Sequence, residues 1–151
     1  MRRVFSSLDE FKGAVGETLG PTDWLTVTQA AIDEFASSTG DHQWIHTDPE
    51  RASSGPFGTT IAHGYWTLST LPAFAEQLYE IQGLTMGLNY GANRIRFPDV
   101  VPVRSRIRAT ATLKETKDIA IGTQLVLEFV LEKEGGAKPV CLAEVVYVMA
   151  G

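Results

Sequence analysis

Apolar positions along this chain recur first with helical and later with alternating spacing, and glycine, proline and capping residues mark each change. In residues 1–20, Leu8, Phe11 and Val15 fall on one side of a short amphipathic helix that Gly16 and Gly20 loosen. Trp24, Thr26 and Thr28 then alternate with Leu25 and Val27 in a β-prone run, and Thr28 is placed to cap a helix whose apolar face is Ile32, Phe35 and Ala36. Gly40 ends that helix in a position suited to the left-handed conformation, which turns Asp41 away from the axis and leaves residues 41–47 as a loop. Asp48-Pro49-Glu50 reads as a second helix start, with Asp48 as cap. After ASSGPFG, Thr59 or Thr60 caps a third helix expected from about Ile61 to Glu80. It is apolar on most sides, as a helix surrounded by protein is, and Pro72 predicts a break near Leu71.

Past Gly83 the period becomes two. Leu84, Met86, Leu88 and Tyr90 hold one phase and Ile95 and Phe97 the other, with Gly91 marking a bulge between them. Ile107, Ala109, Ala111 and Leu113 alternate with polar residues, as do Leu125, Leu127, Phe129 and Leu131, while Val140 to Met149 is apolar on both faces, as in an inner strand. Strands joined by turns as short as EGGAKP pair antiparallel. The fold class is therefore α+β: an antiparallel sheet wrapped around a long central helix, the hot dog arrangement, in a single domain over 1–151 with residues 1–20 as an N-terminal helical extension.

Composition narrows the partners. With 151 residues, 44% of them hydrophobic, the chain suits one core, and a net charge of -5 leaves no basic stripe for nucleic acid. The lone cysteine, Cys141, lies in VCLAEVVYVM and reads as a buried small hydrophobe in a reducing compartment. No run approaches about 18 apolar residues and no secretory signal follows Met1-Arg2-Arg3, so no membrane partner and a cytoplasmic location are expected.

All three histidines, His42, His46 and His63, fall between the first capped helix and the start of the central one. A metal site could draw on His42, His46, His63, Asp41 and Asp48, but histidines four apart converge only on a helix, and 41–47 reads as a loop; no metal is expected. A nucleophile elbow and a phosphate loop are both missing. Acid and base chemistry fits better. A carboxylate at Asp41 and an imidazole at His46 can share one water, and the amides around His63 and Gly64 at the helix start can receive negative charge that develops on a carbonyl oxygen. Gly64 serves equally well for close packing of helix on sheet. Trp44, His63, Tyr65 and Trp66 are candidate substrate-pocket residues.

Together, Gly40-Asp41, His46, Asp48 and Ala62-His63-Gly64, with RIRFPDVVPV at 94–103, resemble the MaoC-like, (R)-specific enoyl-CoA hydratases over about Trp24 to Val148. Two departures stand out: Gln43-Trp44 where the family usually has Asn-Pro, and Arg104 where it usually has glycine. The resemblance implies that Asp41 and His46 activate water and the Gly64 amide polarises the thioester carbonyl. It also implies a homodimer with sheets side by side and an acyl-CoA substrate entering between protomers. Coenzyme A is then part of the substrate, and no cofactor is expected. Three alternatives remain open on this fold: a 3-hydroxyacyl-ACP dehydratase, an acyl-CoA thioesterase, and a non-catalytic acyl-CoA binding module.

Overall fold

In chain order the protein, seen here as a computed structural model covering residues 1–151, runs β1 (Arg3–Phe5), α1 (Leu8–Lys12), β2 (Thr18–Leu19), β3 (Leu25–Thr26), α2 (Gln29–Thr39), α3 (Trp44–Thr47), α4 (Pro49–Ser53), α5 (Gly64–Ser69), α6 (Leu71–Leu78), β4 (Tyr79–Ile81), β5 (Met86–Arg96), β6 (Arg106–Ile119), β7 (Gly122–Lys133) and β8 (Cys141–Ala150). The main sheet has the order β2-β6-β7-β8-β5, with β3 also on β6, and every pairing in it is antiparallel. This is the hot dog fold that the alternating C-terminal half predicts.

The sheet's core face is set by the period-two pattern. Ile107, Ala109, Ala111 and Leu113 of β6 and Leu125, Leu127, Phe129 and Leu131 of β7 are all buried. Register places Ala109 opposite Leu131 and Ala111 opposite Phe129, so small side chains face large ones. The alanines leave room for α6, which packs on β6 and adds Leu71, Phe74, Ala75 and Leu78 to one cluster of 27 buried residues. Each large side chain fully buried there contributes about 1.5–3 kcal/mol relative to leaving it in water. Cys141 belongs to the same cluster, and burial pushes its thiol up to about 11, which suits an inert core residue. As expected, β8 is an inner strand, flanked by β7 and β5.

Several expectations are corrected. The helix predicted over residues 1–20 is confined to Leu8–Lys12; Phe11 is buried, but Val15 is exposed, and β1 precedes the helix because it pairs parallel with β4. The central helix begins at Gly64 rather than Ile61. Thr60 does not cap it: its hydroxyl donates to Gln29, while Ile61 bridges to Pro102 and the Ala62 amide bonds to Val101, so this stretch is drawn out as extended chain. That helix is also buried on one face only, with Tyr65 68% exposed. The predicted break is present, since α5 stops at Ser69 and α6 restarts at Leu71 with Pro72 in its first turn. The bulge at Gly91 is present too, and a second register shift follows between Ala92 and Arg94.

Arg104 has φ 70°, the one non-glycine residue of the chain with positive φ. Glycine takes that conformation without strain, whereas a Cβ crowds the following carbonyl. The departure noted at Arg104 is thus a side chain set on a backbone turn shaped for glycine.

Candidate active site

Local sequence explains how each site residue is delivered. The Thr28 side chain accepts from the Ala31 amide to start α2, and Gly40 closes that helix at φ 83° in the left-handed region. The chain therefore leaves the helix sharply at Asp41. The Asp41 carboxylate accepts from the Gln43 amide at 3.3 Å, which turns the chain again, and residues 44–47 close a single helical turn on the Gln43 carbonyl. The loop predicted over 41–47 is thus a loop only as far as Gln43. Asp48 caps α4 through the Arg51 amide, the structural role expected of it.

That helical turn puts His46 inside the protein and leaves His42 exposed. Nδ1 of His46 lies 2.7 Å from the Ile61 carbonyl oxygen. A carbonyl can only accept, so Nδ1 carries the proton and the lone pair of the neutral ring stays on Nε2. Burial pushes the His46 pKa below its usual 6.5, and the neighbouring His63 acts the same way, against the Ile61 carbonyl and Asp41.

His63 is the residue that joins the parts. It precedes α5 directly and is 2% exposed, and its ring stacks on His46 with centroids 3.9 Å apart at 25°. Its Nε2–H donates to the Asp41 backbone carbonyl at 3.0 Å, which pins the exposed Asp41 loop to the stacked pair of rings. Ligand atoms of Asp41, His46 and His63 all lie within 4.8 Å of one another. Imidazole lone pairs lie in the ring plane, however, so two nearly parallel rings send theirs side by side rather than to one point. The cluster suits a water held between a carboxylate and one ring nitrogen better than a cation held by three ligands.

Gly64 opens α5, and no side chain caps this helix. Its amide has no intrahelical partner, as at every helix start. A Cβ at Gly64 would stand 2.8–3.1 Å from three atoms of the Phe97 ring, so the close-packing role left open by the sequence is real. The pocket candidates separate. Trp44 lies under the Arg51 guanidinium at 4.3 Å and against Gly55, so its ring is engaged with α4; Tyr65 meets Phe97 edge-on at 6.1 Å; Trp66 packs on the core cluster.

Sequence reasoning missed Ile61, Phe97 and Gln29. Gln29 donates to the His46 backbone carbonyl at 2.7 Å. Ile61 acts through its carbonyl and carries no sequence signal; for Gln29 the signal available was an amide directly after a capping threonine, in a first turn without acid.

Residues 10–133 match the model of the MaoC like domain. The chain is 51% identical over 143 residues to 3-hydroxyacyl-thioester dehydratase Z of Mycobacterium tuberculosis, covering 94% of this chain and 95% of that protein. Among solved structures, the monoamine oxidase regulatory protein from Archaeoglobus fulgius superposes with TM-score 0.76 at 24% identity, over 100% of this chain and 99% of that one. R-Hydratase PhaJ1 from Pseudomonas aeruginosa does so with TM-score 0.70 at 17% identity, over 91% and 86%. The last two share the fold. With a matched domain that spans the Asp41, His46 and Gly64 site and a relative alike over nearly its whole length, the chain belongs to the MaoC-like dehydratase family of hydro-lyases.

Proposed function

We propose that the protein is an (R)-specific enoyl-CoA hydratase, which adds water to trans-2-enoyl-CoA to give (R)-3-hydroxyacyl-CoA and runs the dehydration in reverse. The observation that carries this is the His46 ring: Nδ1–H is tied to Ile61, which leaves Nε2 bare, and the ring belongs to a cluster with the Asp41 carboxylate whose ligand atoms lie within 4.8 Å of one another. Water held between the two loses a proton to a base as its oxygen bonds to C3 of the enoyl group. Electrons shift onto the thioester oxygen, where the Gly64 amide receives the charge, and the enolate collects a proton at C2 as the carbonyl re-forms. Neutral Nε2 suits the first transfer. A tightly coupled pair does not require that each proton be assigned to one residue.

The thioester class is supported by the Mycobacterium tuberculosis relative, whose name states 3-hydroxyacyl-thioester dehydration, and the (R) hand by the Pseudomonas aeruginosa R-hydratase that shares the fold. Along α5, Leu68 follows Gly64 by one turn on the same face, and there it lines a groove of about 280 Å³ with Leu71, Pro72, Ala92, Val145 and Tyr147. That groove suits an apolar acyl chain continuing from the thioester. Coenzyme A is part of the substrate, so the reaction needs no separate cofactor. A homodimer with the coenzyme A arm between protomers completes the proposal, and β5, the edge of the sheet, is the strand open to a partner. No helix is long and apolar enough to cross a membrane.

The test is hydration of crotonyl-CoA, followed by loss of enoyl absorbance, with the product's hand read by chiral separation. Asp41→Asn and His46→Ala should each lower the rate at least about a hundredfold, the scale for a positioned acid or base. Near-normal rates in both variants, or an (S) product, would sink the proposal. Free thiol release with the enoyl absorbance intact would mark a thioesterase, and tight binding without turnover a binding module.

A further inference from the structure

α3 is only four residues long, so its last carbonyls have no amide one turn ahead to accept from. The His46 carbonyl is satisfied instead by a side chain from another helix. Gln29, the first residue of α2, donates through Nε2 to His46 O at 2.7 Å and to Asp33 Oδ1 at 2.9 Å. Its Oε1 accepts from the hydroxyl of Thr60, a residue 1% exposed. The orientation of the amide is settled by its partners. Turned over, its oxygen would face two acceptors at once.

These bonds form a closed bracket. Gln29 joins the backbone of His46 to Thr60, and the next residue, Ile61, holds the His46 ring by accepting from Nδ1 and the α3 backbone by donating from its amide to Ile45 at 3.0 Å. Thr60 and Ala62 are stitched in turn to Val103 and Val101, so the bracket stands on the segment leading into β6. The ring and the main chain of His46 are thus referred to the same two-residue stretch, and Gln29 is the side chain that closes the distance. From this geometry we infer that Gln29, acting with Thr60, is the positioning residue that keeps Nδ1–H of His46 on the Ile61 carbonyl and so keeps Nε2 as the bare nitrogen. Gln29 itself touches no reacting atom. The inference rests on the hydration proposal for its consequence in catalysis, but its structural content is independent of it.

Long-range ¹H–¹⁵N NMR of the full chain labelled in histidine reads which nitrogen of His46 carries the proton, with the His46 signals identified by their loss in His46→Gln. The wild-type ring is expected as the Nδ1–H form. Gln29→Leu and Thr60→Val should each raise the Nε2–H fraction and lower kcat for crotonyl-CoA about tenfold, with KM within about twofold, the pattern of a misplaced group rather than lost binding. Thr60→Ser, which keeps the hydroxyl, should restore both, and the double variant should be no worse than the poorer single one. If Gln29→Leu does not fold, Thr60→Val, which keeps the side-chain shape, carries the test. An unchanged His46 tautomer in either folded variant overturns the inference, whatever happens to kcat. If the wild-type protein fails to hydrate crotonyl-CoA, the hydratase proposal falls while the tautomer measurement still decides the bracket.

Discussion

His63 lies with its ring stacked on His46 while its Nε2–H holds the backbone carbonyl of Asp41, so one buried histidine contacts both the His46 imidazole and the Asp41 backbone. The stack has an electrostatic consequence. Two cationic rings 3.9 Å apart would repel, and burial already disfavours the charged form of His46; together they outweigh the Ile61 carbonyl and Asp41, which favour it.

The first prediction follows from that lowered pKa. A base must be neutral to accept a proton, so the midpoint of the acid limb of kcat/KM for crotonyl-CoA should lie below pH 6.5. Stability should follow the same sign. In the unfolded chain His46 protonates near 6.5, whereas the folded chain resists the proton, so the unfolded state binds more protons in the window just below 6.5 and acidification through that window destabilises the fold. A pH–rate profile and thermal melts over the same range check both. An acid limb lying above pH 6.5 would remove neutral His46 from the mechanism.

Much of this site is legible from side-chain chemistry read in order. Gly40 predicts the sharp exit before Asp41, Asp48-Pro49 the next helix, and Pro72 the break between α5 and α6, because each depends on a local backbone preference that its residue carries with it. What stays hidden depends on partners remote in sequence. Thr60 resembles a helix cap but is drawn to Gln29, 31 positions earlier, and the bond that fixes His46 runs to a main-chain oxygen that any residue at 61 would provide. The short turn at 44–47 is local but is concealed by its composition. Thr47 closes it by donating to the carbonyls of His42 and Gln43, which loop-prone composition does not advertise.

Arg104 offers a stability prediction independent of the site's chemistry. An L-residue held at φ 70° carries roughly 1–2 kcal/mol of strain. Glycine relieves the strain but gains freedom in the unfolded chain, so Arg104→Gly should stabilise the fold by about 1 kcal/mol, or about 2–4 °C in Tm, without changing kcat. A lower Tm would mean that the Arg104 side chain makes contacts worth more than the strain.

Gly64 packs against Phe97, and the oxyanion role proposed for its amide is separable from that packing by one pair of variants. A methyl group at Gly64 meets the Phe97 ring, and forcing it in should cost about 1–3 kcal/mol. Phe97→Leu in the same chain vacates part of that space, so the double variant should regain most of the lost Tm. Activity should not return with it, because the methyl still narrows the approach to the amide. Recovery of Tm and kcat together would show that Gly64 serves packing alone.

The unpaired edge of β5 makes the last prediction. This strand pairs with β8 on one side and with no strand of this chain on the other, and its Met86, Leu88 and Tyr90, all of one phase, are 39%, 43% and 64% exposed. An 11-residue edge carrying large apolar side chains invites pairing with another chain unless something covers it. A second copy placed edge to edge covers both strands at once, because a two-fold interface presents the same surface from each side. Light scattering should therefore give a dimer for the wild-type protein, and Leu88→Lys with Tyr90→Lys should give a monomer by setting like charges against each other across the joint. If the coenzyme A arm lies between protomers, KM for crotonyl-CoA should rise sharply in that monomer, whereas His46 should keep its tautomer, since every group that fixes its ring belongs to its own chain. A wild-type monomer, or a dimer indifferent to both lysines, would leave β5 without the proposed partner.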